Sequence, residues 1–525
     1  MKKYLFLIIS LSIFYVKLSA QKKDNNAKRA NYYTEPHRPQ FHFSPEAHWM
    51  NDPNGMVYYK GEYHLFYQYY PKDIVWGPMH WGHAVSRDLV QWQHLPIALV
   101  PDSLGYIFSG SAVVDWQNTS KFQQGREAPL VAVFTYHNMA GEKANTTNFQ
   151  YQGIAYSNDK GRTWTKYAGN PIIKNTEGLK DFRDPKVFWH DASKQWVLIL
   201  ARGNQVQIYN SKNLKDWTLA SQFGENQGAA GRPWECPDLF ELPIDGNPKN
   251  KKWVMLVSLG DGSPNGGSGT EYFVGSFDGK VFSNDNKPET TQWLDYGCDN
   301  YAGVTWSNIP SKDGRRIFLG WMSNWKYAQK VPTTTWRSAM TIPRTLSLKS
   351  TESGLKLVSN PIDELKILRG SLDVAIAPQN IDNETKPKIA LAEIVSGGEL
   401  ILEFEKGTAN DFGLNVANSK GEYLKIGFDV ATNQFYIDRT NAGKKDFSPE
   451  FIGKHMAPRF SKSNTIKLHI IFDASSVEVF ADDGLTVMTD VFFPNENFSK
   501  LTFYANNGQV KLKRGRGYAL RNAWR

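Results

Sequence analysis

The chain has 525 residues, 41% of them hydrophobic, and a formal net charge of +9. That length exceeds one ordinary domain, so two domains with globular cores are expected. The basic residues are scattered apart from the run from Lys511 to Arg516, which reads as a solvated strand edge, so the charge does not mark a nucleic-acid binder.

At the N-terminus, Lys2 and Lys3 precede an apolar run from Tyr4 to Val16, and Leu18-Ser19-Ala20 supplies small residues for cleavage. Residues 1–20 therefore read as a secretory signal peptide, followed by an N-terminal extension over 21–37. No later stretch is long and apolar enough to span a bilayer, and no cysteine near the cleavage point offers a lipid anchor. The expectation is an exported protein, periplasmic or secreted, without membrane insertion, and a monomer or homodimer. The two cysteines, Cys236 and Cys298, read as free thiols.

Sixteen of the 17 tryptophans fall between Trp49 and Trp336, so composition changes near Pro343-Arg344. Both halves read as β. Short runs such as Tyr63-His64-Leu65-Phe66-Tyr67 and Trp196-Val197-Leu198-Ile199-Leu200 alternate with Gly/Asn/Asp turns. Within 38–346 a unit recurs loosely: Ser86-Arg87-Asp88-Leu89-Val90-Gln91-Trp92, Ser157 to Trp164, Ser211 to Trp217, and Ser276 to Phe282. Each resembles a strand, a polar turn and an aromatic plug. Units of this length suit the four-stranded blades of a β-propeller, about five of them. Residues 347–368 read as a linker, and 369–525 alternate as strands of a C-terminal β-sandwich. The predicted fold class is thus all-β: a five-bladed β-propeller followed by a β-sandwich.

Three carboxylates stand out. Asp52 lies in Trp49-Met50-Asn51-Asp52-Pro53-Asn54-Gly55, between aromatic residues and a Pro-Asn-Gly turn. Asp184 lies in Phe182-Arg183-Asp184-Pro185, where Arg183 and Asp184 point to opposite sides of an extended segment unless the chain bends at the proline. Glu235 lies in Trp234-Glu235-Cys236-Pro237, beside an aromatic ring and a thiol. Singly, each also reads as an ordinary turn or surface ion pair. Together they sit on successive repeat units, and the inner strands of propeller blades line one funnel. Hydrolysis of a glycosidic bond needs two carboxylates flanking the scissile bond, and a third can hold ring hydroxyls.

These motifs, with Phe108-Ser109-Gly110-Ser111, resemble glycoside hydrolase family 32, the β-fructosidases, over about 41–504. The resemblance implies a retaining exo-β-fructosidase acting on terminal β-D-fructosyl units of a fructan or fructo-oligosaccharide. In it Asp52 is the nucleophile, Glu235 the acid/base, and Asp184, kept ionised by Arg183, the transition-state stabiliser. It implies sugar contacts from Asn51, Gln68, Trp76, Phe108, Ser109, Arg183 and Trp321, with Trp325 competing for the role of Trp321, and neither metal nor other cofactor. The stretch from Asn265 to Phe273 resembles the polysaccharide-acting exo-enzymes. Asn300 departs from the family pattern, standing where an aromatic or bulky group is expected. A fructosyltransferase using the same residues and a non-catalytic glycan-binding protein are the alternative readings.

Overall fold

The computed structural model describes residues 32–230, 233–385, 387 and 391–524. The expected signal peptide and the first part of the extension lie outside the described residues. The rest of the extension is packed: Tyr33 is buried and stacks on Trp524 at 4.2 Å.

The first half forms five blades of four antiparallel strands. Their inner strands are, in order, His48–Tyr59, Tyr106–Val114, Phe182–His190, Trp234–Ile244 and Tyr301–Thr305. Blades four and five meet through a single parallel pairing, Ile244 with Leu348. The short strand Trp336–Arg337 runs beside His48 and Trp49, joining the last blade to the first.

Strand residues alternate between the two faces of a sheet, and in a propeller both faces are covered by neighbouring blades. That is why the third blade reads as a continuous apolar run. Leu198 and Leu200 pack with Val131 and Val133 of blade two, whereas Val197 and Ile199 pack with Met255 and Val257 of blade four. Each fully buried side chain of this kind contributes roughly 1.5–3 kcal/mol.

The recurring sequence unit is the turn from third to fourth strand. Asp88 Oδ1 accepts from the backbone N–H of Val90 and Gln91, and Trp92 Nε1 donates to the Leu89 carbonyl. Asn213 and Trp217 repeat the arrangement in blade three, and Asp159 and Trp164 keep most of it in blade two.

Residues 347–368 are not a linker. Arg344–Thr351 and Gly354–Pro361 are the outer strands of blade five, and Asp363–Leu368 is a 3-10 helix. The mixed composition has a physical cause: Leu346 and Leu348 face the core while Ser347 and Lys349 face solvent.

The second half is a sandwich of two sheets. One runs in the order Arg369–Ile376, Val510–Leu520, Gly398–Glu405, Thr465–Asp473, Ser476–Ala481, Thr486–Val491. The other runs Lys454–Pro458, Gln434–Asn441, Tyr423–Asp429, Asp411–Ala417, Lys500–Asn506. Their shared core includes Leu400, Leu402, Leu414, Ile426 and Phe503.

A buried charged network joins the two halves. Arg344 Nη1 donates to Asp295 Oδ2 at 2.8 Å and its Nε to Glu478 Oε2 at 3.0 Å. His42 bridges Glu478 at 2.9 Å and Asp473 at 2.7 Å. Burial opposes the imidazolium, but its hydrogen bonds to Asp473 and Glu478, with their charges, outweigh burial and lift the His42 pKa to about 9.

Candidate active site

Every inner strand carries a β-bulge near its start, where two residues oppose one on the second strand. The pairs are Asn51-Asp52 against Gln68, Phe108-Ser109 against Thr135, and Asp184-Pro185 against Leu200. Cys236-Pro237 against Val257 and Ala302-Gly303 against Gly320 complete the ring. A bulge bends its strand and re-aims side chains. Asp184, Cys236 and Ala302 accordingly occupy the left-handed region, with φ of 66°, 45° and 53°. The bend at Asp184-Pro185 brings Arg183 and Asp184 to the same side, with Nε 3.9 Å from Oδ2.

The bulges deliver Asp52, Asp184 and Glu235 into one cavity of about 270 Å³. Asp52 Oδ2 accepts from Ser109 Oγ at 2.6 Å, and its Oδ1 from Asn51 Nδ2 at 3.0 Å. Asn51 is itself held by Trp49 Nε1 at 2.8 Å. Asp184 Oδ2 accepts the backbone N–H of Cys236 at 3.0 Å. The Cys236 thiol stands between two acids, 3.5 Å from Asp52 Oδ2 and 3.6 Å from Asp184 Oδ2. Glu235 Oε1 receives Arg183 Nε at 3.0 Å and Nη2 at 2.8 Å, and its Oε2 accepts the Tyr301 hydroxyl.

Burial pushes the Asp52 carboxyl above its ordinary range, and the charge of Glu235 adds to the push. Ser109 and Asn51 pull the other way. Burial likewise raises Asp184 against the pull of Arg183, with Glu235 and Asp52 reinforcing it. Arg183 pulls Asp184 towards its ionised form, but only in part. The guanidinium spends its hydrogen bonds on Glu235 and on Asp181, at 2.6 Å, so its 3.9 Å approach to Asp184 does not offset burial. Burial also drives the Cys236 thiol and Tyr301 phenol far up, so both stay protonated donors.

Asn51, Gln68, Trp76, Phe108, Ser109 and Arg183 all line the cavity. Gln68 Nε2 is buried with no partner, a donor left free for a ligand. Phe108 is braced by His137, stacked at 4.2 Å. Trp321 does not line the cavity. It is fully buried, donates Nε1 to the Met50 carbonyl at 3.1 Å, and backs Trp325 at 4.8 Å, and Trp325 forms the wall. The two tryptophans are four residues apart across the end of a strand, and the turn after Met322 decides which faces the opening.

Sequence reasoning also missed Tyr301, His137, Gln150 and Asp181. Tyr301 had a signal: a fifth blade must contribute to a shared funnel, and Tyr301 opens its inner strand. The neighbouring Asn300 turns away, its Nδ2 donating to Asp295 at 3.1 Å. Gln150 and Asp181 come from a third strand and a loop, positions that only the assembled fold brings in.

Just beneath the acids the blades are tied to one another. Gly110 N–H donates to Asn54 Oδ1 at 3.1 Å, and Ser111 Oγ to the Pro185 carbonyl at 2.9 Å. Lys186 pairs with Asp238 at 3.1 Å, Asp238 Oδ2 accepts Thr305 N–H at 2.7 Å, and Ser307 bonds Met56 and Tyr58. This ring closes the cavity floor.

Among the described residues one group has metal-ligand spacing, Cys298, His455 and Asp490. Its atoms satisfy each other: His455 bonds Asp490 at 2.7 Å and Cys298 at 3.2 Å, tying propeller to sandwich.

Residues 42–361 match the model of the glycosyl hydrolases family 32 N-terminal domain, and 366–517 match that family's C-terminal model. The chain is 51% identical over 524 residues to a levanase of Bacillus subtilis (strain 168), covering 98% of this chain and 75% of the relative. It is 38% identical to an extracellular exo-inulinase of Aspergillus awamori, covering 94% of this chain and 96% of that one. The crystal structure of exo-inulinase from Aspergillus awamori superposes with a TM-score of 0.85 at 36% identity, covering 94% of this chain and 100% of that chain. With three carboxylates gathered in one cavity, these matches lead to one conclusion: the chain is a glycoside hydrolase and belongs to family 32 of the glycosyl hydrolases.

Proposed function

We propose that this protein is a retaining exo-β-fructosidase that removes terminal β-D-fructosyl units from fructans. The observation that carries the reading is the meeting of Asp52, Asp184 and Glu235 in one closed-floored cavity, in a chain half identical to a levanase. A cavity of about 270 Å³ suits a single furanose ring more than a chain interior.

In this mechanism the Asp52 carboxylate attacks the anomeric C2. The bond from C2 to the leaving oxygen breaks, and Glu235 gives that oxygen its proton. Glu235 then takes a proton from water, the water oxygen bonds to C2, and the Asp52 ester is released. Ser109 and Asn51 fix the nucleophile's two oxygens, and Arg183 and Tyr301 fix both oxygens of Glu235. Asp184, with the Cys236 amide on one oxygen, faces the ring hydroxyls. The sandwich braces the propeller through Arg344 and Glu478, and the protein acts after export, in the periplasm or outside the cell.

Time-resolved product analysis on levan, inulin and sucrose tests the reading. Free fructose from the first sample supports exo-hydrolysis; oligosaccharides appearing first indicate internal cleavage. Longer oligosaccharides in concentrated sucrose indicate transfer instead. An Asp52→Ala variant that turns over all three substrates normally ends the proposal.

A further inference from the structure

The far end of the propeller holds a second cavity, larger than the first at about 820 Å³. The inner strands begin at the acids and end here. Asp184 is the third residue of Phe182–His190, and Trp189, which lines the second cavity, is the eighth. Five residues of strand put the two about 16 Å apart. The Lys186–Asp238–Thr305 ties stand between them, so this cavity is not an extension of the active site.

Its walls have a distinct chemistry. Trp116 is the most exposed of the large hydrophobic side chains, at 57%. It is nevertheless fixed, since Nε1 donates to Asn308 Oδ1 at 3.1 Å and its ring packs on Tyr59 at 5.6 Å. Trp189 is pinned the same way, by Asp191 at 3.2 Å and by Trp196. Trp253 is wedged against Phe277 at 5.1 Å. Pinned edges make Trp116 and Trp189 preformed platforms, and packing holds Trp253, so little side-chain entropy is left to lose on binding.

Arg316 lies among them. Among the described residues its guanidinium has no hydrogen bond or ion pair; it rests over the Phe240 ring at 5.0 Å, and burial depresses its pKa against the pull of Asp238. A donor-rich group left unpartnered in a cavity is a vacancy for acceptor oxygens. The charges around it balance: Asp191, Asp238, Glu241 and Asp278 stand against Lys186 and Arg316 in the wall and against Lys194 and Lys251, which pair with Asp191 and Glu241. Flat aromatic faces, a free donor fork and balanced charge fit a neutral polyhydroxylated ligand.

We propose that this cavity is a second, non-catalytic carbohydrate site that holds a segment of neutral polysaccharide. Resting on the activity proposed above, the segment is part of the fructan whose ends the first cavity processes. Bound there, the polymer keeps its chain ends at high local concentration near the same molecule.

Native gel electrophoresis through levan, inulin or dextran tests this, with the Asp52→Ala protein and its Trp116→Ala and Arg316→Gln derivatives. The parent should be retarded by levan or inulin. Either added substitution should weaken that affinity about three- to tenfold. In the enzyme with Asp52 intact, Trp116→Ala should leave kcat/KM for sucrose unchanged while lowering the rate at dilute polymer. Equal retardation of all three proteins, or none in the parent, overturns the second site, whatever the activity. Fructose release with unchanged retardation leaves the fructosidase standing alone. Retardation lost on Trp116 substitution in a protein that releases no fructose leaves the site standing and removes the activity.

Discussion

Replacing Ser109 by Ala should move the acid side of the pH profile without destroying the enzyme. Ser109 Oγ lies 2.6 Å from Asp52 Oδ2, a short hydrogen bond to a charged acceptor. Such bonds are worth about 1.5–3 kcal/mol to the ionised form. At about 1.4 kcal/mol per pH unit, losing it lifts the Asp52 pKa by about one to two further units. Asp52 is already raised by burial and by Glu235, and Asn51 and the longer contact from the Cys236 thiol would remain as its side-chain donors. A nucleophile must be ionised, so raising its pKa removes activity at low pH and restores it as pH rises. The assay is kcat/KM for fructose release from about pH 4 to about pH 8, for the parent and Ser109→Ala. The variant should lose about ten- to a hundredfold on the acid limb and converge towards the parent above it. A uniform rate loss with the acid limb unmoved refutes the assignment of that limb to Asp52.

The remaining predictions concern packing and charge. Trp325→Ala should raise KM with little change in Tm, whereas Trp321→Ala, emptying a fully buried site, should cost about 3–5 kcal/mol in denaturant unfolding. Arg344→Met leaves Asp295 buried without its cation and Glu478 with His42 alone, and should destabilise the fold by about 3–5 kcal/mol, read by the same titration. Glu271 is buried, one oxygen is unpartnered, and desolvation lifts its pKa to about 7. A carboxyl with a raised folded pKa loses stability as pH climbs from its unfolded value through the folded one. Glu271→Gln should therefore raise Tm over the parent at pH 8 and lose that advantage near pH 4.5.

Much of the architecture was readable because local chemistry and global fold agree. Ser86 to Trp92 encodes a side-chain-capped turn whatever surrounds it, and its recurrence marks blades. Asp52, Asp184 and Glu235 were visible because each precedes or adjoins a proline at a strand bend. The linker expectation failed for the opposite reason. Half-exposed outer strands such as Arg344–Thr351 carry no strong local signal, and only pairing with neighbours makes them strands. Trp321 and Trp325 are chemically identical, so their exchange of wall and core was not encoded in residue type. Gln150, Asp181 and His137 reach the cavity from loops and second or third strands, through distances that tertiary closure alone sets.

The ring of blade-to-blade ties under the acids makes the catalytic chamber a blind alley. A polymer cannot thread through it, and the freed monosaccharide must back out by the way it came. Each turnover therefore clears the doorway before another chain tip enters, and grip on the polymer between visits has to come from somewhere other than the chamber.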